Sequence, residues 1–158
     1  MPEMDTYGFG IEETLAKEGK IIVCVSGRSM IPMLRDRRDT VLIEKADLPL
    51  KKHDVAVYRM PSGKLLIHRV LKVREDCYVI RGDNRPNTEY IKPEWIIGVL
   101  KEFHRNGKRC DCETNKLYKA YIIWVRASFP VRRCWYALRD TYVSIKRRLL
   151  GQPKYIRK

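Results

Sequence analysis

One short segment carries the sequence features best suited to chemistry. It reads Val25-Ser26-Gly27-Arg28-Ser29-Met30-Ile31-Pro32-Met33-Leu34 and follows a dense β-branched run. A serine hydroxyl is a weak nucleophile near neutral pH. It needs a base beside it and donors for the oxyanion that forms. A turn just past a strand can expose a side chain while its backbone N–H groups face a cleft. Ser29 is the candidate nucleophile on that argument; the plainer reading is a turn serine bonded to its own backbone. Two later segments add to it. In Lys64-Leu65-Leu66-Ile67-His68-Arg69-Val70 the alternation puts Leu66, His68 and Val70 on one face of a strand. Imidazole is the side chain suited to take a proton from serine near neutral pH. Tyr78-Val79-Ile80-Arg81-Gly82-Asp83-Asn84 then places an aspartate at a strand end. A carboxylate there could fix the histidine tautomer and stabilise its cation; the plainer readings are a structural histidine and an aspartate turn.

The elements that must hold these residues follow from periodicity. Residues 11–19 predict one short helix with Ile11, Leu15 and Ala16 on one side and Gly19 as its stop. Strands are predicted at 20–26, 40–44, 55–59, 65–73, 78–81 and 95–103, with Pro61-Ser62-Gly63-Lys64 as a hairpin turn. Close spacing of short strands predicts a mainly antiparallel β domain. After about Gly107 the pattern becomes helical: Lys116 to Ser128 first, then a second helix from Pro130. There Val131, Trp135, Leu138, Tyr142, Ile145 and Leu149 recur every three or four residues. Arg132, Arg133, Arg139, Lys146, Arg147 and Arg148 lie on or beside the other face, and Gly151 and Pro153 end the helix. The expected organisation is an N-terminal helix or arm at 1–19, a β domain at 20–107 and a basic helical tail at 108–158.

Charge sorts the same way. The chain of 158 residues has 33 Lys+Arg and 19 Asp+Glu, a net of +14. Residues 1–100 hold 17 and 15 of these (17 − 15 = +2), and residues 101–158 hold 16 and 4 (16 − 4 = +12). A near-neutral body with a basic tail suggests an acidic partner for the tail. Three readings compete: an anionic membrane surface, nucleic acid, or an apolar stripe packed on the β domain with solvated charges. The membrane is preferred, and nucleic acid is disfavoured because residues 1–100 are nearly neutral. Apolar runs reach only about five residues, too few for a membrane span of roughly 20. The start is acidic and polar, unlike a secretory signal peptide. The five cysteines are irregularly spaced and read as reduced thiols. Together these predict a cytoplasmic protein, peripheral at the inner face of the membrane.

The three chemical segments, taken in order, resemble the superfamily that joins type I signal peptidases and LexA-type self-cleaving repressors. Its nucleophile box has the form V-x-G-x-S-M-x-P-x-L, and Val25 to Leu34 fits every fixed position. Bacterial signal peptidases continue with a Lys-Arg-Val strand whose lysine is the base. Here that place reads His68-Arg69-Val70, which is similar to the archaeal and endoplasmic-reticulum branch with its Ser-His pair. The later Gly-Asp-Asn box matches Gly82-Asp83-Asn84. The resemblance spans about residues 20–103. It implies a coiled antiparallel β-sheet domain and a serine endopeptidase acting on an extended leader or precursor peptide through an acyl-enzyme. Ser29 resembles the nucleophile, His68 the base and Asp83 the acidic member. The Ser29 N–H, helped by Ser26, would form the oxyanion hole. Met30 and Pro32 would shape the nucleophile turn and a groove wall. No metal or organic cofactor is implied; the partner is a peptide or protein substrate.

The sequence also departs from that family. No apolar run in it is long enough for the amino-terminal anchor of typical signal peptidases, so none is expected, and where bacterial members carry Asp-Ser-Arg it reads Thr88-Glu89-Tyr90-Ile91. The Ala-Gly and Cys-Gly dipeptides that repressors cleave are absent. Lys64 and Lys72 are alternative bases. The competing function is an inactive peptide-binding or membrane-tethered scaffold of the same fold.

Overall fold

The computed structural model describes residues 8–149. The element order is α1 (Gly8–Glu18), β1 (Lys20–Cys24), β2 (Thr40–Lys45), β3 (Val55–Arg59), β4 (Leu65–Val73), β5 (Tyr78–Arg81), β6 (Glu89–Ile91), β7 (Ile96–Arg105), β8 (Lys108–Asp111), α2 (Lys116–Ala127) and α3 (Phe129–Leu149). The eight strands form one open sheet in the order β1-β2-β7-β3-β4-β5-β6, with β8 paired to β7. Every pairing is antiparallel.

The chain divides after Ile122 into two compact units. In the first, β3 reads Val-Ala-Val-Tyr-Arg and is buried along its first four residues. Side chains alternate across the pleat, so a central strand must be apolar on both faces. One face joins Ile11, Leu15, Met30, Met33, Ile43, Val57 and Phe103 in a core; the other gathers Ala56, Tyr58, Val70, Ile80 and Ile91. The expected helix at 11–19 is α1, one turn longer at its start. Ile11 and Leu15 are buried at i, i+4, but Ala16 is exposed, because it lies round the helix from them. Gly19 ends α1 at φ +74°, its N–H bonded to the Leu15 carbonyl at 3.0 Å.

The predicted strands fall close to those observed, and the Pro61-Ser62-Gly63-Lys64 turn joins β3 to β4 with Arg59 opposite Leu65. Two strands were not anticipated. β6 has three residues, too few for periodicity to register. β8 returns from β7 through Asn106-Gly107, both at positive φ, the geometry of a tight hairpin turn. The expected boundary at 107 therefore cuts a hairpin, and the sheet continues to Asp111. Asn115 opens α2, its Oδ1 accepting the Tyr118 N–H at 3.0 Å. Tyr118, Tyr121 and Ile122 then join the first core, so the opening turns of α2 belong to the β unit and not to a separate tail.

The second unit begins at Ile123. Val131, Trp135, Leu138, Tyr142 and Ile145 are all more than half exposed. The side chain of Leu149, and the stop at Gly151 and Pro153, lie outside the described residues. Among the described residues no helix is long and apolar enough to cross a membrane. All five cysteines are free thiols, and burial pushes Cys112 up to about 12.

Candidate active site

β1 is an edge strand and runs directly into the turn that carries Ser29. That turn is closed by the chain that follows it. The Val25 N–H donates to the Asp39 carbonyl at 3.1 Å, and the Arg37 N–H to the Val25 carbonyl at 2.8 Å. Gly27 sits at φ +106°, a region costly for residues with a Cβ, and its N–H donates to Asp36 Oδ1 at 2.8 Å. Met30, Met33 and Leu34 plunge into the core and fix the far side. Met30 thus anchors the turn from below. Pro32 is exposed, after a cis peptide bond to Ile31. Ser26 is half-buried, three residues before a half-buried Ser29.

A cation pair locks this loop to β7. Asp39 is fully buried and accepts from the Arg35 backbone N–H at 2.9 Å and the Arg35 guanidinium at 2.6 Å. Arg105 donates to Asp39 Oδ2 at 3.1 Å and to the carbonyls of Pro32 and Met33. Burial alone would raise the Asp39 pKa, but the hydrogen bonds from Arg35 and Arg105 outweigh it and hold the carboxyl below its ordinary value. A carboxylate whose folded pKa is depressed adds stability above its unfolded pKa of about 3.9, and loses it as pH falls through the folded value. Urea midpoints of the protein should therefore drop on acidification from about pH 5 downward, and Asp39→Asn should flatten that limb. An equally steep limb in the variant would remove Asp39 from the account.

His68 lies on β4 opposite Ala56 of β3, and is only 4% exposed. The small alanine leaves room for the diagonal neighbour Tyr58, on the same face two residues along. The Tyr58 hydroxyl meets His68 Nδ1 at 2.8 Å and donates to Glu89 Oε2 at 2.5 Å. Glu89 Oε2 is itself 3.4 Å from Nδ1. A phenol has one hydrogen, and an ionised carboxylate only accepts. With that hydrogen on Glu89, the Tyr58 oxygen accepts from His68 Nδ1–H. The hydrogen bond from His68 lowers the Glu89 pKa, burial opposes it, and Tyr58 lowers it further, so Glu89 stays ionised. Burial, then the bond to Glu89, push the Tyr58 phenol up, which keeps its hydrogen in place. Nδ1 therefore carries a hydrogen, and in the tautomer that results Nε2 is the nitrogen left to accept. Nε2 is buried and has no hydrogen-bond partner among the described residues. The Ser29 hydroxyl therefore does not hydrogen-bond to it.

The Gly82-Asp83-Asn84 segment brings the serine turn and the histidine together. The Asn84 N–H donates to the Ser29 carbonyl at 2.7 Å, and Asn84 Nδ2 to the Arg28 carbonyl at 3.1 Å. Gly82 fills the gap between them. A Cβ added there would stand 2.7 Å from the Ser29 carbonyl oxygen and 3.1 Å from His68 Cδ2, the carbon bonded to Nε2. Gly82→Ala must push the Ser29 turn away from the imidazole, since the nearer contact is backbone. Ser29 reactivity in this variant should fall by about a hundredfold, because small misplacements cost that much. An unimpaired Gly82→Ala protein would show that the turn tolerates the shift.

Asp83 has a different task from the one its sequence position suggests. Its carboxylate takes a two-pronged grip from Arg69, at 2.9 Å and 2.7 Å, and accepts the Tyr121 hydroxyl at 2.9 Å. Neither nitrogen of His68 bonds to it; the carboxylate at Nδ1 is Glu89. The reason is the pleat. His68 and Arg69 are successive residues on β4, so they point to opposite faces, and Asp83 lies on the Arg69 side. Arg69 is fully buried and also donates to the Tyr118 hydroxyl and the His53 carbonyl. Lys64 and Lys72 are both exposed, and Lys72 is four residues, about 13 Å, along β4 from His68.

No protein-family model matches this chain, and no curated protein is recognisably similar to it. The residues must therefore speak for themselves. Glu89 stands in the Thr88-Glu89-Tyr90-Ile91 stretch that replaces the bacterial Asp-Ser-Arg, where the sequence offers it as a substitute acid. Tyr58 and Arg105 left no linear signal, because each acts across the sheet on a distant segment.

Proposed function

We propose that the protein is a serine endopeptidase of the signal-peptidase and LexA superfamily, working with Ser29 as nucleophile and His68 as base. The observation that carries this reading is the imidazole of His68. Its Nδ1 is committed to Tyr58 and Glu89, its Nε2 is an open acceptor, and its Cδ2 edge packs beside Gly82 together with the Ser29 carbonyl.

In the proposed reaction His68 Nε2 takes the Ser29 hydroxyl proton as Oγ attacks the scissile carbonyl carbon. The oxyanion is met by the Ser29 N–H, with Ser26 as a second donor. The C–N bond breaks as Nε2 returns the proton to the leaving amine, which leaves an acyl-serine. Water then gives a proton to Nε2 and its oxygen to the acyl carbon; Nε2 hands the proton back to Oγ, and the acid departs. Tyr58 and Glu89 stabilise the imidazolium in both halves, the task that the position of Asp83 at a strand end had suggested for that residue. The substrate is an extended peptide. β1 has one strand neighbour and ends at the nucleophile turn, so a peptide pairing with its free edge would run toward Ser29.

The test is acylation by a serine-directed fluorophosphonate, with the site located by mass spectrometry. Label on Ser29, absent in Ser29→Ala, is the expected result. A folded protein without label would turn the reading to the inactive peptide-binding scaffold.

A further inference from the structure

The second unit has a surface that the peptidase reading leaves unused. On α3, Val131, Trp135, Leu138, Tyr142 and Ile145 are 75%, 66%, 66%, 65% and 52% exposed. Their spacing of four and three residues makes one narrow stripe about 21 Å long. Arg132, Arg139 and Lys146 recur every seven residues, so they form a second row beside it. Arg132 lies over the Trp124 ring, with 5.6 Å from guanidinium carbon to centroid, and Arg139 lies over Tyr136 at 5.4 Å. Residues 123–158 hold 10 Lys+Arg and 1 Asp+Glu (10 − 1 = +9), against 23 and 18 in residues 1–122 (23 − 18 = +5).

We propose that this face of α3 docks on an anionic phospholipid surface, lying in the plane of the interface. Charge decides between that occupant and a second copy. The stripe has the spacing of a coiled-coil seam, but it covers only about two heptads, where a stable seam needs three or four. Arg132, Arg139 and Lys146 are all cationic, so two copies would set like charges along the contact. Trp135 and Tyr142 are amphipathic rings suited to a boundary between apolar and wet surroundings. Arg and Lys beside the stripe can bury their stems in lipid and keep their charges at the phosphates.

Flotation of the full chain on a density gradient tests this without reading peptidase activity, so its outcome is separate from that of Ser29 labelling. The protein should rise with vesicles of phosphatidylglycerol and phosphatidylcholine in equal parts. It should stay down with phosphatidylcholine alone and partly detach in about 0.5 M salt. Trp135→Glu with Leu138→Glu should lower recovery at least about tenfold at an unchanged urea midpoint, since both side chains are exposed. Tyr142→Glu, made separately, should act in the same direction. No flotation with the anionic vesicles overturns the proposal. So does equal flotation of the stripe variants, a dimer that these substitutions convert to monomer, or tighter binding to RNA than to vesicles of equal charge.

Discussion

Alanine at position 68 should slow acylation of Ser29 by about a hundred- to ten-thousandfold, the usual contribution of a positioned general base. The structure narrows which neighbours should share in that loss. Glu89→Gln removes the carboxylate that accepts the Tyr58 hydrogen and faces Nδ1. An amide can offer a donor there instead, which frees Tyr58 to donate to Nδ1 and moves the imidazole hydrogen to Nε2. The base would then present a hydrogen where it needs a lone pair. The expected drop for Glu89→Gln is about tenfold or more, smaller than for His68→Ala because the ring itself remains. Tyr58→Phe should fall between wild type and Glu89→Gln, since Glu89 Oε2 already lies 3.4 Å from Nδ1 and can close on it. The measurement is the second-order rate of fluorophosphonate labelling, with urea midpoints to confirm folding. Labelling of His68→Ala at the wild-type rate would reject His68 as the base.

The largest stability effect is expected at Asp83. Asp83→Ala strips the guanidinium of Arg69 of its counter-ion while Arg69 stays fully buried. Breaking a buried pair from one side typically costs about 3–5 kcal/mol, because the remaining charge keeps its desolvation penalty. The Tyr118 hydroxyl, the His53 carbonyl and the Met33 sulfur still contact Arg69, but none carries a negative charge. The same substitution removes the acceptor of the Tyr121 hydroxyl and loosens the segment through which Asn84 holds the Ser29 carbonyl. Joining Arg69→Met to Asp83→Leu should recover a good part of the loss, since an apolar pair of similar volume avoids the buried charge. Urea unfolding of the two single variants and the double variant would measure the coupling. Near-additive losses would mean that the pair does not act as one unit. Asp83→Asn also separates the two roles considered for this residue. As a structural anchor it should lower the midpoint strongly and slow labelling of the folded protein less than Glu89→Gln does. The opposite order would return Asp83 to the chemistry.

Much of this molecule was legible in the linear order of its residues. β-branched runs and turn residues marked the longer strands, because a pleated strand demands alternation and a tight turn demands Gly, Pro or Asn. Val25 to Leu34 and His68 were singled out by residue type alone, since few side chains can act as nucleophile or base. The charge asymmetry and the α3 stripe were likewise plain, because helical spacing is a local property. Other features belong to the tertiary structure alone. Which acid serves His68 depends on the parity of β4: His68 faces Tyr58 and Glu89, and Arg69 faces Asp83, although Asp83 stands in the more suggestive sequence box. β6 and β8 exist because neighbours were there to pair with, not because their own residues insist on it. The first turns of α2 joined the β unit because Tyr118 and Tyr121 reach Arg69 and Asp83.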